Sequence, residues 1–174
     1  MIQFFGRAAL ALVATVAIAV PSFGQGEPSL LGKAKDWRAY VVGNGAEKLC
    51  FAYSEPTKEE GKYAQRGKVS VTVSHRPGDK VKNEISFAAG YTYKRDSQVD
   101  VTVDGKKFIL FVDGGSAWTP DAATDAKLRE ALASGRTMVV KGRSSRGTQT
   151  TDTYSLSGST KALELIDEAC GVRS

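Results

Sequence analysis

Histidine is almost missing from this sequence. Its 174 residues contain one, His75, and only two cysteines, Cys50 and Cys170. A four-ligand zinc site of the Cys/His kind therefore cannot be assembled within one chain. A serine triad would have to be built on His75, which precedes Arg76-Pro77 where a strand should end and reads as an exposed strand-end side chain. The Gly-x-Ser-x-Gly pattern of a nucleophile elbow does not occur, and no glycine loop of the phosphate-cradling types is present. Carboxylates are scattered singly, as in Asp96, Asp100 and Asp104, and read as solvated surface. The segment DGGSAWTPDAATD offers Asp113, Asp121 and Asp125, without the alternating oxygen spacing of a calcium loop. No metal, cofactor or catalytic residue is expected.

Long apolar runs are equally scarce, with one exception at the start. Arg7 precedes an apolar stretch from Ala8 to Val20, and Ser22 and Gly24 supply the small residues that suit a signal-peptidase cut. Rising about 1.5 Å per residue, the stretch reaches about 20 Å, short of the roughly 30 Å hydrocarbon core. It reads as an export signal over residues 1–24, with a cut after Ala19 as the alternative. A flexible lead-in over 25–35 and one domain over 36–174 follow. The mature chain is expected in the periplasm or secreted, with no transmembrane segment.

Export favours oxidised cysteines, so Cys50 and Cys170 are expected to pair and to close a loop of about 120 residues, worth up to about 5 kcal/mol on the chain-entropy account. Two buried thiols, or a link between chains, is the competing reading.

What is abundant is short alternating runs between turn signals, the mark of an all-β sandwich or barrel. Trp37 to Val42 and Lys48 to Ser54 flank Gly43-Asn44-Gly45 as a hairpin. Val69, Val71 and Val73 alternate with Ser70, Thr72 and Ser74. VDVTVDGKKFILFV is a hairpin around Asp104-Gly105, and Ile109 and Phe111 make its second arm apolar on both sides, as expected of a strand covered on both faces. Two helices interrupt the strands. One runs from about Asp121 to Ala133 and is short and mostly exposed, with Leu128, Ala131 and Leu132 on one side. The last has Ser159 or Thr160 as hydroxyl cap, a stripe of Ala162, Leu165, Ile166 and Ala169, and Gly171 as its stop.

Removing the leader takes away Arg7 alone among charged residues, leaving 23 Lys and Arg against 19 Asp and Glu. Between Glu130 and Asp152 stand Arg136, Lys141, Arg143 and Arg146 with no acid among them, so the whole excess sits in that window. It overlaps KGRSSRGTQTTDTYSLSG, residues 141–158, where SSRG reads as a loop between two strands and Tyr154 and Leu156 as buried positions. Lys141, Arg143 and Arg146 thus become candidates for an anion or acidic-partner site at one end of the sandwich. Solubility charge that blunts edge pairing is the bland alternative. Nucleic acid is not expected, because aromatic residues are not interleaved with these cations in sequence. A Ser144 or Ser145 nucleophile with Lys141 as base would need a buried, neutral lysine, which a polar stretch does not provide.

DW at 36–37, LCFAYSEP around Cys50, RP at 76–77, VDGKKFILF, AW at 117–118 and SSRGTQTTDTYSLSGSTKALELIDEAC together resemble the invasion-associated locus B family of exported bacterial proteins. The resemblance covers nearly all of the mature chain and is most specific in its last segment. It implies an immunoglobulin-like β-sandwich, a pairing of Cys50 with Cys170, no known catalytic residues, and in some pathogenic members a role in attachment to and invasion of host cells. The reading reached is a non-enzymatic envelope or secreted protein that binds an envelope or host-surface molecule of acidic chemistry. A structural or stress-related envelope protein is the second reading, and a serine hydrolase the third.

Overall fold

The computed structural model of the chain describes residues 26–173; the leader expected over 1–24 lies outside them. Among the described residues no helix is long and apolar enough to cross a membrane.

The glycine-rich turn at 43–45 joins β2 (Trp37–Val42) to β3 (Leu49–Ser54), in register from Trp37 opposite Ser54 to Val42 opposite Leu49. Asp104 and Gly105, at φ of 44° and 92°, close the second expected hairpin between β7 (Gln98–Val103) and β8 (Lys106–Asp113). With β1 (Ser29–Ala34), β4 (Lys58–Gly61), β5 (Ser70–Arg76), β6 (Val81–Ala88), β9 (Ser116–Trp118), β10 (Thr137–Arg143) and β11 (Gln149–Ser155), the described residues form one antiparallel sheet. Its order is β1-β2-β3-β5-β6-β9-β8-β7-β10-β11-β4.

Strands β3 and β4 stand third and eleventh in that order, yet only residues 55–57 connect them, a reach of about 14 Å at most. The sheet must therefore curl until its far end returns to β3. Hydrogen bonds cross the seam: Asp36 N–H to the Ser157 carbonyl at 3.3 Å, and Trp37 Nε1–H to the Ser155 carbonyl at 3.1 Å. The expected mainly β antiparallel fold with two helices is present, and one rolled sheet forms the layers that a sandwich requires. Its concave side holds a single core to which β2, β3 and β5 through β11 all contribute, with Trp37, Phe87, Leu110, Met138 and Tyr154 among the largest buried side chains.

Two helices plug this concavity. The first, α1 (Ala122–Ser134), begins where the Asp121 carboxylate accepts from Thr124 N–H at 2.7 Å, and it buries Leu128, Ala131 and Leu132 as its spacing predicts. Asp125 joins that buried face because it accepts from Ile85 N–H at 2.9 Å and from the Thr119 hydroxyl at 2.6 Å. Both bonds end on Oδ1, which ties the carboxylate to β6 and to the segment before the helix; no cluster of metal-ligating side chains occurs among the described residues. The second, α2 (Ser159–Cys170), packs across β1, β2, β3 and β5 and ends at Gly171 with φ of 63°. Cys170 is bonded to Cys50 of β3, the expected disulfide.

Four local expectations are corrected. Residues 29–34, placed in a loose lead-in, are an edge strand paired with β2; Gly32 within it leaves room for Leu165, whose Cδ1 would sit 2.8 Å from an added Cβ. Ser159 and Thr160 do not cap α2. The N-cap is Gly158 at φ of 91°, and both hydroxyls instead donate to α1 carbonyls, Ser159 to Leu132 at 2.7 Å and Thr160 to Ala133 at 2.6 Å. The stripe of α2 centres on Ala162, Leu163 and Ile166, with Leu165 and Ala169 only partly buried. Ile109 and Phe111 are 53% and 49% exposed, since both helices lie inside the roll and nothing among the described residues covers its convex face at β8.

Candidate functional site

At the end of the roll opposite the disulfide, the loops after β4 and β6 meet the β10–β11 turn. Two glycines make the first approach: Gly67 N–H donates to the Gly90 carbonyl at 2.8 Å, and a Cβ on Gly90, whose φ is 71°, would stand 2.3 Å from the Gly67 carbonyl oxygen. This contact brings Arg66 inward. Its guanidinium donates to both oxygens of Asp152 at 2.6 Å each, and its Nε–H donates to the Ala89 carbonyl at 2.7 Å. The same guanidinium packs on the rings of Tyr63 and Tyr91, at 5.3 and 5.1 Å from their centroids. Burial alone would lower its pKa, but the Asp152 hydrogen bonds hold it above the ordinary arginine value.

Tyr91 passes this order on to the turn. Its hydroxyl shares a 2.7 Å hydrogen bond with the Thr150 hydroxyl, and burial raises its pKa above the phenol's usual value. Tyr93 stands edge-on to Tyr91, with 5.3 Å between centroids, and bridges to Ser144. Gly142 of β10 is needed here, because a side chain would strike Tyr93 Cε1 at 2.7 Å. Ser145 N–H donates to the Thr92 carbonyl at 2.8 Å, fixing the turn on its neighbour.

These walls enclose an open cleft of about 680 Å³, lined by Lys62, Tyr63, Gln65, Tyr91, Thr92, Ser144, Ser145, Arg146, Thr148 and Thr150 among others. Its lining contains two cations and no acid. The nearby carboxylates of Asp152 and Glu59 are both engaged by Arg66. Lys62 and Arg146 make no ion pair among the described residues, so their charge faces solvent.

The three cations singled out in the sequence are divided by the pleat. Lys141 and Arg143 alternate with Gly142, whose missing side chain faces the tyrosines, so both project to the convex side. There they line a second cleft of about 450 Å³ with Ser97, Gln98, Asp100, Gln149 and Thr151. Arg146 belongs to the first cleft. The pairing considered between Lys141 and a serine is likewise not assembled: Ser144 and Ser145 line the first cleft, and the Ser144 hydroxyl accepts from Thr148 N–H at 3.1 Å within its own turn. Aromatic residues, absent from the sequence around these cations, reach Arg146 from two distant loops. GKYAQRG and GYTYKR were the available signal, each setting tyrosine and cations beside glycine.

His75 needs a correction. It is fully buried, because β5 shifts register between Ser74 and Arg76 and α2 covers the position. Asn83 N–H donates to Nδ1 at 3.0 Å, which leaves Nε2 as the protonated nitrogen, donating to Asp167 Oδ1 at 2.9 Å. Asp167 Oδ2 bonds Arg129 of α1. Both ring nitrogens are thus engaged, and neither can take a proton from a serine. Burial lowers the imidazole pKa, against the opposing pull of Asp167.

The family described as Invasion associated locus B (IalB) protein matches residues 37–167, three quarters of the chain and every element from β2 into α2. No curated protein and no solved structure matches.

Proposed function

The chain belongs to the invasion-associated locus B family, and from that premise we propose that it is an exported protein of the cell envelope which recognises an envelope or surface molecule of acidic chemistry and does not transform it. One observation carries the reading. The cleft at the β10–β11 end is lined by Lys62 and Arg146 with no acid, and the window between Glu130 and Asp152 that supplies Arg146 carries Arg136, Lys141, Arg143 and Arg146 with no acid among them. Lys141 and Arg143 add charge on the convex side of the same end, in the second cleft. Fields of that kind raise encounter rates and make binding salt-dependent. The buried-edge disulfide supports a location outside the cytosol, where such bonds persist. The family name associates it with invasion, and attachment to a host surface is the extension of this reading.

The test compares wild type with the K141A/R143A/R146A variant as bait in envelope extract and on host-cell membranes. All three side chains are at the surface, so folding should be retained. The variant is expected to lose an acidic partner that wild type holds at low salt and releases at high salt. Equal capture by both proteins, or capture indifferent to salt, would refute the cationic end as the recognition surface.

A further inference from the structure

A general anion patch needs charge alone, but the cleft holding Arg146 has walls that charge does not require. Tyr63 stands at its mouth, 36% exposed, and Tyr91 forms part of its side. Both rings are fixed from behind by a guanidinium whose own charge is cancelled by Asp152. Apolar ring faces in a site otherwise made of hydroxyls and cations suit a ligand that is itself two-sided, with C–H faces to lie on aromatic rings and hydroxyls to bond at its edge. Ser145 and Thr148 present hydroxyls that make no side-chain hydrogen bond among the described residues, while Lys62 and Arg146 provide charge at the rim. The volume, about 680 Å³, lies within the roughly 300–1,000 Å³ of small-molecule sites. Because the Arg66–Asp152 pair and the Gly67–Gly90 contact already hold the walls, little ordering would accompany binding.

We infer that this cleft binds an anionic saccharide, a short sulfated or carboxylated sugar whose rings lie against Tyr63 and Tyr91 and whose acidic groups meet Lys62 and Arg146. The inference rests on the reading that the cationic end binds an acidic molecule, and narrows it to a ligand class and to one of the two clefts.

A defined sulfated tetrasaccharide titrated into the mature protein, followed by calorimetry and amide NMR shifts, tests this against three controls: a neutral tetrasaccharide, inorganic sulfate at matched ionic strength, and a nucleoside monophosphate. The expected result is binding of the sulfated sugar alone, with shifts at Tyr63, Tyr91, Ser145 and Arg146. Arg146→Ala should weaken it about tenfold, as loss of one charged hydrogen bond does. Tyr63→Ala should weaken it several-fold while Tyr63→Phe, which keeps the ring, should not, and K141A/R143A should stay within about twofold. Shifts centred on Lys141 and Arg143, an equal response to sulfate or to the nucleotide, or no binding would each overturn the inference. If the sugar fails while the triple variant still loses its acidic partner from extract, only the ligand class and cleft are wrong; if both fail, the broader proposal falls as well.

Discussion

Arg66 and Asp152 meet through two parallel hydrogen bonds of 2.6 Å, with side chains only 3% and 5% exposed. They stand 86 residues apart in sequence, and their pairing sets the back wall of the cleft. Removing one partner strands the other charge. Asp152→Ala should therefore cost about 3–5 kcal/mol in chemical denaturation, whereas replacing both by apolar residues of similar volume should cost clearly less. A double replacement as damaging as the single one would show that the pair itself is worth more than its packing.

His75 supplies a pH dependence with a definite sign. Its folded pKa lies below the ordinary imidazole value of about 6.5, because burial disfavours the cation and Nδ1 already accepts from Asn83. As pH falls through about 6.5, the unfolded chain takes up a proton before the folded one does, so stability declines below that point and is insensitive to this group above it. The groups facing the ring are Asp167 and, through it, Arg129. Denaturation midpoints between about pH 7.5 and 5 should drop more for wild type than for His75→Gln. Parallel curves would remove His75 as the cause.

The Cys50–Cys170 bond fastens the last residue of α2 to β3, across 120 residues. The paired C50A/C170A variant should lose up to about 5 kcal/mol. Hydrogen exchange should then rise first in α2 and in β1, which α2 holds through Leu165 at Gly32. Uniform loosening of the whole sheet would argue against this local anchoring.

The two faces of β8 should respond differently. Leu110 is fully buried, so Leu110→Ala should cost about 2–5 kcal/mol. Ile109→Thr and Phe111→Thr, one position to either side, should each stay within about 0.5 kcal/mol. Thermal denaturation of the three variants checks this, and a cost at Phe111 comparable to that at Leu110 would mean that the convex face is covered in solution.

Local chemistry was legible in the sequence. The Asp104-Gly105 turn, the Val99, Val101 and Val103 alternation, the α1 spacing and the partnership of two cysteines each follow from neighbours or from composition. What escaped was decided by contacts between remote segments. His75 looks exposed until α2 is laid over it, and Leu30 to Ala34 look unstructured until β2 offers them a ladder. Lys141, Arg143 and Arg146 form one charged group along the chain, but the pleat sends the first two outward and the turn carries the third to the other side. Arg66 and Asp152 gave no signal at all, since nothing in either neighbourhood names the other.

The path of the chain through the rolled sheet has a consequence for how the protein comes into being. Lys58–Gly61 closes the roll, yet its only ladder partner among the described residues, β11, is synthesised long after it. Until then this segment waits as an unpaired margin, and folding must be slow in the manner of topologies dominated by distant contacts. Its sequence, Lys-Glu-Glu-Gly, is suited to that wait: short, highly charged and a poor template for any foreign strand met before β11 arrives.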